Sequence, residues 1–350
     1  MIRGGGARGR LREGLVRGAT WVQARFGDQA AEPVLPDPSE ELRSLALDSD
    51  RFREVLRFNL DHNGAELHSL IPLRLLRQAA ARVGSDFEGE VLEVGSYGHP
   101  GFALSLLLLG AQRVHLDNVT RVDNRLRRSH AETLYALMSG FGLPISVALD
   151  EVIEPAGEGM VRIRSERVVI HSGVDAANLE LEPGSLRAVF SMAVLEHVKE
   201  PAPLLAVTQR LLEPGGWFFH AVDLRDHKDL ANPLRFLAQS EEEYRAEDPG
   251  GNRWRGPDYV RACEEVGFDL THVDYAGPVS VNAEGTTDVF SMLLQPAGNL
   301  FRPLPELEVW VSEEARSRLQ PQFHGYSLAE LSGTSVNLTG RKPSQAGQGS

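Results

Sequence analysis

The sequence predicts an α/β protein whose core is a doubly wound, mostly parallel sheet of seven strands. Three observations support this fold class. From about residue 90 onward, short apolar runs alternate with helical patterns, as in a sheet built from strand–helix–strand units. Residues 91–117 read as a buried strand, a glycine-rich turn, an apolar helix and a second strand. Pro214-Gly215-Gly216 marks a turn directly before another apolar strand.

Seven segments match the strand pattern, and helical patterns separate several of them. We expect strands at residues 91–94, 113–116, 168–171, 188–191, 217–222, 269–275 and 335–339. Residues 203–212 and 257–266 predict two helices, the second ended by Gly267.

Composition divides the chain into four parts. We expect a basic segment and Pro-rich linker over residues 1–38, a helical extension over 39–87, the sheet domain over 88–343 and a disordered tail over 344–350. Within the sheet domain, residues 118–160 predict a mostly helical insertion. Residues 276–331, before the last strand, predict a lid-like insertion because they are far longer than a usual connection.

Charge and cysteine content limit the partners and the compartment. The net charge of −13 argues against nucleic-acid binding. Cys263 is the one cysteine of the sequence, which excludes a disulfide within the chain and favours the cytoplasm. Residues 1–26 carry six arginines and one glutamate, which fits either weak contact with anionic lipid, peripheral to the inner membrane, or a soluble basic terminus. The apolar runs are too short for a secretory signal or a membrane span.

The turn after the first strand has the features of a cofactor site. Gly95, Gly98 and Gly101 would let the backbone approach a ligand closely. Asp117 ends the second strand 22 residues after Gly95, close to the separation at which an acid meets a ribose diol in dinucleotide folds. We therefore predict a nucleotide-type cofactor at this edge of the sheet.

Glu93, at the tip of the first strand, bears on which cofactor this is. Its carboxylate would repel the pyrophosphate of a dinucleotide, which binds through a positive helix N-terminus. The same carboxylate would attract S-adenosylmethionine (SAM), whose sulfonium and ammonium are cationic. The loop reads Ser96-x-Gly98-x-x-Gly101, one glycine short of the dinucleotide fingerprint. These residues favour SAM over NAD without excluding NAD.

A second block, from Ser191 to Gly216, resembles the class I SAM-dependent methyltransferases. In that family the fourth strand ends near Ser or Asn, a Val-Leu-Glu-His-Val helix start follows, and the next helix ends in Arg-x-Leu-x-Pro-Gly-Gly. Here residues 194–198 read Val-Leu-Glu-His-Val and residues 210–216 read Arg-Leu-Leu-Glu-Pro-Gly-Gly. The resemblance covers about residues 88–275 and implies a Rossmann-like fold, SAM as the cofactor and a bacterial-type transferase.

The resemblance also implies roles for individual residues. The loop 95–101 would cradle the methionine part of SAM, and Asp117 would accept hydrogen bonds from the ribose. Asp175 and the backbone after it would hold the adenine. The cofactor residues predicted in this way are Glu93, Gly95, Ser96, Tyr97, Gly98, Gly101, Asp117, Asn118, Asp175, Ala176, Ser191 and Met192. Asp117 and Asp175 also fit as turn residues that cap strand ends.

Candidate catalytic residues follow the fourth and fifth strands, whose carboxyl ends face the ligand crevice of such a sheet. A hydroxyl acceptor needs a base, and we predict His227, Asp223 and His197 for this chemistry. The alternative for Asp223 and His227 is a solvated loop with a helix cap. Predicted substrate contacts are His220, Arg225, Arg253 and Arg255. The side chain of His220 could face either the core or the crevice, and Arg253 and Arg255 fit equally a surface loop anchored by Trp254.

A metal ion is not expected. Some O-methyltransferases that resemble this chain bind a divalent cation through Glu-x-x-Glu-His. Here Ala193 stands at the first carboxylate, which leaves Glu196 and His197. One acid and one imidazole are a poor site for a hard cation, which prefers several oxygen ligands. The alternative role for both residues is capping of the helix start.

The sequence therefore predicts an enzyme that moves a methyl group from SAM to a small-molecule or saccharide acceptor, at a hydroxyl oxygen. An NAD-dependent oxidoreductase or epimerase is the alternative enzyme class, but the first fingerprint glycine and a Tyr-x-x-x-Lys pair are missing. A non-catalytic SAM-binding module is the third interpretation, and it would bind SAM without turnover.

Overall fold

The computed structural model describes residues 87–96, 98–140, 143–229, 232–276 and 302–344. It also describes five buried helical residues before the first strand, namely Leu73, Leu75, Leu76, Ala79 and Ala80. The predicted basic segment, most of the helical extension, Tyr97, much of the lid-like insertion and all but the first residue of the tail lie outside the described residues.

Ten strands form two sheets in the described part of the chain. The strands are β1 Gly89–Val94, β2 Ala111–Asn118, β3 Arg125–Arg127, β4 Ile153–Gly157, β5 Met160–Ile163, β6 Val168–Ser172, β7 Leu186–Met192, β8 Leu212–Asp223, β9 Asp269–Ala276 and β10 Ser335–Arg341. Seven of them form the main sheet in the order β6-β2-β1-β7-β8-β10-β9. β10 is antiparallel to β8 and β9, and the other described pairings of this sheet are parallel.

The strand order confirms the predicted mostly parallel, seven-stranded sheet and fixes the position of its ligand crevice. The chain moves outward from β1 through β2 to β6, then returns to the other side of β1 with β7 and β8. In open α/β sheets such a reversal opens a crevice at the carboxyl ends of the strands. The crevice therefore lies at the ends of β1, β2, β7 and β8.

Helices cover both faces of the main sheet. The α-helices are α1 Gly101–Leu108, α2 Arg128–Gly140, α3 Leu149–Val152, α4 Pro201–Leu211, α5 Arg235–Ala238, α6 Glu241–Glu247, α7 Gly256–Glu265, α8 Glu313–Ser317 and α9 Leu328–Ser332. Short 3₁₀ turns span Ala176–Asn178, Leu195–His197, Leu304–Glu306 and Pro321–Phe323. Among the described residues, none of the helices is long and apolar enough to cross a membrane.

Two apolar layers hold the helices on the sheet. On one face, α1 is buried along its whole length and packs with Phe190 and Phe219. On the other face, Phe218 and Leu338 pack with α4 and α7. Because parallel strands are covered on both faces, they consist of continuous apolar runs, which is why the sequence pattern located them.

The insertion after β2 differs from the prediction of a mostly helical segment. It contains α2 and α3, but β3, β5 and β4 also form a three-stranded antiparallel sheet. β4 and β5 are joined by a tight turn in which Gly159 has a φ of 65°, a conformation that favours glycine. The two glycines around Glu158 were the hairpin signal that the helical interpretation overlooked.

Candidate active site

The glycine loop is locked between two strand ends. The backbone N–H groups of Gly95 and Ser96 both donate to the carbonyl oxygen of Asp117, at 3.1 and 3.0 Å. Gly95 and Gly98 have φ of 74° and 78°. A Cβ atom on Gly95 would overlap the Val194 side chain, and one on Gly98 would lie 2.9 Å from the Arg121 carbonyl oxygen. Only glycine fits both positions, so the loop backbone can face a ligand.

Two buried acids flank this loop. Glu93 accepts a hydrogen bond from the Ala103 N–H, yet burial raises the pKa of its carboxyl to about 8. Burial, together with the charge of Asp175, raises the pKa of Asp117 to about 7. Glu93 Oε2 and Asp117 Oδ1 are buried without a hydrogen-bond partner among the residues that the structure describes. These two oxygens would accept hydrogen bonds from an ammonium or hydroxyl group of a ligand, and the two carboxylates, once ionised, would repel a phosphate.

The other predicted cofactor residues lie around the same crevice. Asp175 caps the Ala176–Asn178 turn, because one of its carboxylate oxygens accepts the Ala177 N–H at 2.9 Å. Asp175 therefore has the capping role that the sequence offered as the alternative. Its charge nevertheless acts on Asp117, which puts both acids in one electrostatic environment. Asn118 donates to the Thr120 hydroxyl at 3.0 Å.

The side chains of Ser191 and Met192, at the end of β7, lie on opposite faces of the sheet. The Ser191 hydroxyl is hydrogen-bonded to His220 Nδ1 at 2.7 Å, and both residues are buried. Met192, one residue later, is buried in the opposite apolar layer with Phe190. Both residues stand at the carboxyl end of β7, which borders the crevice, and their contact with the cofactor stays a prediction.

A second cavity, which we call the strand-end pocket, lies beyond the carboxyl ends of β7 and β8. Its lining includes Glu196, Asp223, Arg225, His227, Tyr244 and Trp254. Glu196 comes from the turn after β7, and its Oε1 accepts the backbone N–H of Asp223 at 3.0 Å. This bond joins the ends of the two strands at the floor of the pocket.

Asp223 is the fully buried centre of the polar residues in this pocket. Arg225 holds it with two hydrogen bonds, Nε to Oδ1 at 3.0 Å and Nη2 to Oδ2 at 2.9 Å. His227 Nε2 lies 3.4 Å from Asp223 Oδ2. Burial alone would raise the pKa of Asp223, but the Arg225 charge and the bonds from both partners hold it well below its ordinary value. Asp223 is therefore an anion under all ordinary conditions.

The environments of two histidines in this region push their pKa values apart. Burial lowers the pKa of His227, but the hydrogen bond and charge of Asp223, with the charge of Glu196, outweigh burial and raise it overall. Burial and the charge of His227 lower the pKa of His197. The two rings lie 4.8 Å apart, centre to centre. Of the two rings, His227 therefore keeps its proton to a higher pH than His197 does.

The same region offers ligands to a metal. One atom each from Glu196, His197 and His227 lie within 4.8 Å of one another. Sequence reasoning did not include His227 in this group because it lies 30 residues after His197. Since only the neutral imidazole binds a metal, binding of a cation by this group would strengthen as pH rises and His227 loses its proton. The prediction of no metal stays a prediction.

Residues 61–273 match the sequence model of a protein family described as "Methyltransferase domain". The match covers more than half of the chain, and the strand order agrees with the fold that the resemblance implied. The chain belongs to this family. It is a class I SAM-dependent methyltransferase, and SAM is its cofactor.

Sequence relatives of the methyltransferase include two ubiquinone biosynthesis O-methyltransferases. The protein of Chromobacterium violaceum is 28% identical over 186 residues, which are 52% of this chain and 65% of the relative. The protein of Albidiferax ferrireducens is 30% identical over 98 residues, 26% of this chain and 36% of the relative. The chain thus spans less than two thirds of the length of these relatives.

A putative methyltransferase from Bacillus halodurans is a similar solved structure. It is 15% identical, with a TM-score of 0.41, over 77% of this chain and 99% of that chain. The family assignment rests on the sequence match and not on this likeness.

Three of the four predicted substrate contacts of the methyltransferase do not line the strand-end pocket, namely Arg255, Arg253 and His220. Arg255 is fully buried, and its guanidinium donates to the carbonyl oxygens of Leu224, Leu331 and Gly333. It thereby ties its own loop to the segment after β8 and to the end of α9. Within the described residues these contacts give Arg255 a structural role, and its contact with a substrate stays a prediction.

Arg253 and His220 also bind within the protein. The Arg253 guanidinium donates to the Gln239 carbonyl at 2.7 Å, pairs with Glu241 and lies 4.9 Å from the centre of the Tyr244 ring. His220 is buried beside Ser191, and burial lowers its pKa to about 3, so it stays neutral. Arg225, the fourth prediction, does line the pocket.

Sequence reasoning missed the far wall of the pocket. Tyr244 from α6, Tyr259 from α7 and Arg235 from α5 all line it. Arg235 pairs with Asp226 at 2.8 Å and with Glu247 at 2.7 Å, which joins the loop after β8 to α6. No motif marks these residues, since tertiary packing alone brings α5 and α6 to the end of β8.

Proposed function

We propose that the methyltransferase transfers the methyl group of SAM to a hydroxyl oxygen of a small molecule bound in the strand-end pocket. His227 is the general base, and Asp223 orients it. The observation that carries this proposal is the Asp223–His227 pair at 3.4 Å in the lining of a pocket at the carboxyl end of β8.

The cofactor occupies the crevice between the glycine loop and β2 in this proposal. Glu93 receives the cationic part and Asp117 the ribose hydroxyls, since each has a buried oxygen that finds no partner among the described residues. Asp175 and Ala176 border the adenine. When bound, SAM supplies an electrophilic methyl group on a sulfonium sulfur.

A base in the pocket favours a hydroxyl acceptor over an amine. An amine needs only to be deprotonated before it attacks, whereas a hydroxyl gains from loss of its proton as the new bond forms. Asp223 accepts at His227 Nε2 and so leaves Nδ1, on the other side of the ring, to take that proton. Asp223 also stabilises the imidazolium that results. His197, with its lowered pKa, stays neutral beside it and adds no competing charge.

The walls of the pocket support a ring-bearing acceptor. Tyr244, Trp254 and Tyr259 supply aromatic surface, and the floor is polar. Such a mixture fits a phenol or a saccharide, which present a flat apolar face and hydroxyl groups. The relatives named as ubiquinone biosynthesis O-methyltransferases support transfer to oxygen.

A labelled-methyl assay tests the proposal. The purified protein is incubated with methyl-labelled SAM and a panel of phenols, catechols, hexoses and primary amines, and mass spectrometry locates the label. We expect label on oxygen, and a loss of kcat of about 100-fold or more in His227→Asn with SAM binding unchanged. Transfer to nitrogen alone, or full activity in His227→Asn, would overturn the proposal.

A further inference from the structure

Asn252, in the loop before α7, holds the turn that follows β7. It is buried, with 7% of its surface exposed. Its backbone N–H donates to the Glu196 carbonyl oxygen at 3.0 Å. Its side-chain Nδ2 donates to the carbonyl oxygens of Leu195 and Val198, both at 2.7 Å. One residue therefore binds three carbonyl groups of a four-residue turn.

The acceptor atoms of Asn252 bind the wall of the strand-end pocket. Its Oδ1 accepts the Trp254 N–H at 2.9 Å and the Tyr259 hydroxyl at 2.9 Å. Its backbone carbonyl accepts the Tyr244 hydroxyl at 2.8 Å. Both donors and all acceptors of the residue are thus used, which is the condition for a buried amide to hold its neighbours in one geometry.

The turn of residues 195–198 is connected to His227, the proposed base, through Glu196 and Asp223. Glu196 Oε1 accepts the Asp223 N–H, and Asp223 in turn pairs with His227. The turn also carries His197, whose ring lies against His227. A shift of the turn would move Glu196 and His197 relative to His227, and small displacements of this kind lower rates strongly.

We propose that Asn252 is a positioning residue for methyl transfer. It touches neither reacting group in this account; it holds the turn of residues 195–198 in register with the end of β8, so that Glu196 and His197 keep their places beside Asp223 and His227. The inference rests on the proposed function, because its effect on rate is exerted through His227.

Asn252→Ala removes the side-chain bonds on both sides of this link. With the acceptor that the labelled-methyl panel identifies, we expect kcat to fall about 30-fold while the acceptor KM and the Kd for SAM each change less than about threefold. Lys342→Met is the matched control, since Lys342 Nζ also donates to a backbone carbonyl, that of Leu212, but at the opposite end of β8. The control is expected to keep its kcat.

Histidine side-chain spectra give a readout that needs no acceptor. In ¹⁵N-histidine-labelled protein, we expect the ring resonances of His197 and His227 to shift in Asn252→Ala and to stay in place in Lys342→Met. If these shifts occur and no oxygen methylation is found, Asn252 does hold the turn beside the two histidines, and it is the proposed function that fails.

Tyr259→Phe serves if Asn252→Ala does not fold, because it removes one hydroxyl bond to Asn252 and keeps the ring. We expect a two- to fivefold fall in kcat and a smaller shift of the His197 resonance, with thermal unfolding and SAM binding close to wild type. Unshifted histidine resonances in a folded Asn252→Ala protein, or a kcat loss that merely follows weaker SAM binding, would overturn the inference.

Discussion

Asp223 and His227 form an ion pair at the end of β8, with 3.4 Å between Asp223 Oδ2 and His227 Nε2, and Arg225 binds the same carboxylate through two hydrogen bonds. The carboxylate is buried beside the permanent cation of Arg225, and His227 adds a second positive charge when it is protonated. It fixes one side of the imidazole, so its effect on His227 is both geometric and electrostatic.

The pH dependence of kcat follows from this pair. A base acts in its neutral form, and Asp223 and Glu196 raise the pKa of His227 above the ordinary 6.5. Activity is therefore expected to be low at acid pH and to rise through a pKa above 6.5. Asp223→Asn removes the charge that stabilises the imidazolium, so the pKa of the profile should fall and kcat should drop by about 10² or more. A profile that Asp223→Asn leaves in place would show that another group titrates.

SAM affinity should increase with pH. Glu93 has a pKa raised to about 8 and attracts a cation only when ionised. Below that pKa, each unit of pH is expected to change the Kd for SAM by up to about tenfold. Glu93→Gln should bind SAM weakly and with little pH dependence between 6 and 8.5, as measured by calorimetry.

The stability of the ligand-free protein should change in the opposite sense. Between about pH 4.5 and about pH 8, Glu93 is ionised in the unfolded chain but stays protonated in the folded protein. The unfolding free energy therefore falls progressively as pH rises through this interval. Glu93→Gln removes this loss. A melting temperature of the wild type that falls no more steeply than that of Glu93→Gln over this interval would contradict the burial argument.

Arg255→Met tests whether Arg255 stabilises the fold rather than contacting the substrate. Its guanidinium satisfies carbonyl oxygens of Leu224, Leu331 and Gly333, which would lose their donors. We expect a loss of about 2–4 kcal/mol in unfolding free energy, with the acceptor KM of the folded protein close to wild type. A large rise in KM without a loss of stability would restore the role that the sequence suggested.

Chelation tests the prediction that no metal is used. Extensive dialysis against EDTA is expected to leave kcat unchanged, because one carboxylate and two imidazoles, from Glu196, His197 and His227, offer too few oxygen ligands to a hard cation. Activity that EDTA abolishes and added Mg²⁺ or Zn²⁺ restores would mean that these three side chains hold a metal in the working enzyme.

The accuracy of the sequence predictions varied with the range of the interactions involved. Strands such as β1 and β7 were placed well because each is a continuous apolar run, and Glu93 and Asp117 could be located at strand ends because they end such runs. The strands of the insertion were missed because Gly157 and Gly159 form a local hairpin signal inside a longer helical pattern. The structural contacts of Arg255 could not be predicted because its partners at residues 331 and 333 are remote in the chain.

The strand-end pocket could be predicted only in part. Asp223 and His227 follow a strand directly, so their position was accessible from the sequence. Asn252 and Tyr244 reach the same pocket through the packing of α6 and α7. No local sequence pattern predicts that the buried amide of Asn252 binds a turn some 55 residues earlier in the chain. Side-chain direction at these positions depends on tertiary contacts.

Calorimetry of SAM binding to the wild type and to Asp117→Ala tests most directly the claim that the buried acids at the strand ends hold the cofactor. The account predicts binding by the wild type and an affinity at least about tenfold weaker in Asp117→Ala, since the buried oxygen that receives the ribose is lost. Absence of wild-type binding at millimolar SAM, or equal affinity in the two proteins, would contradict it.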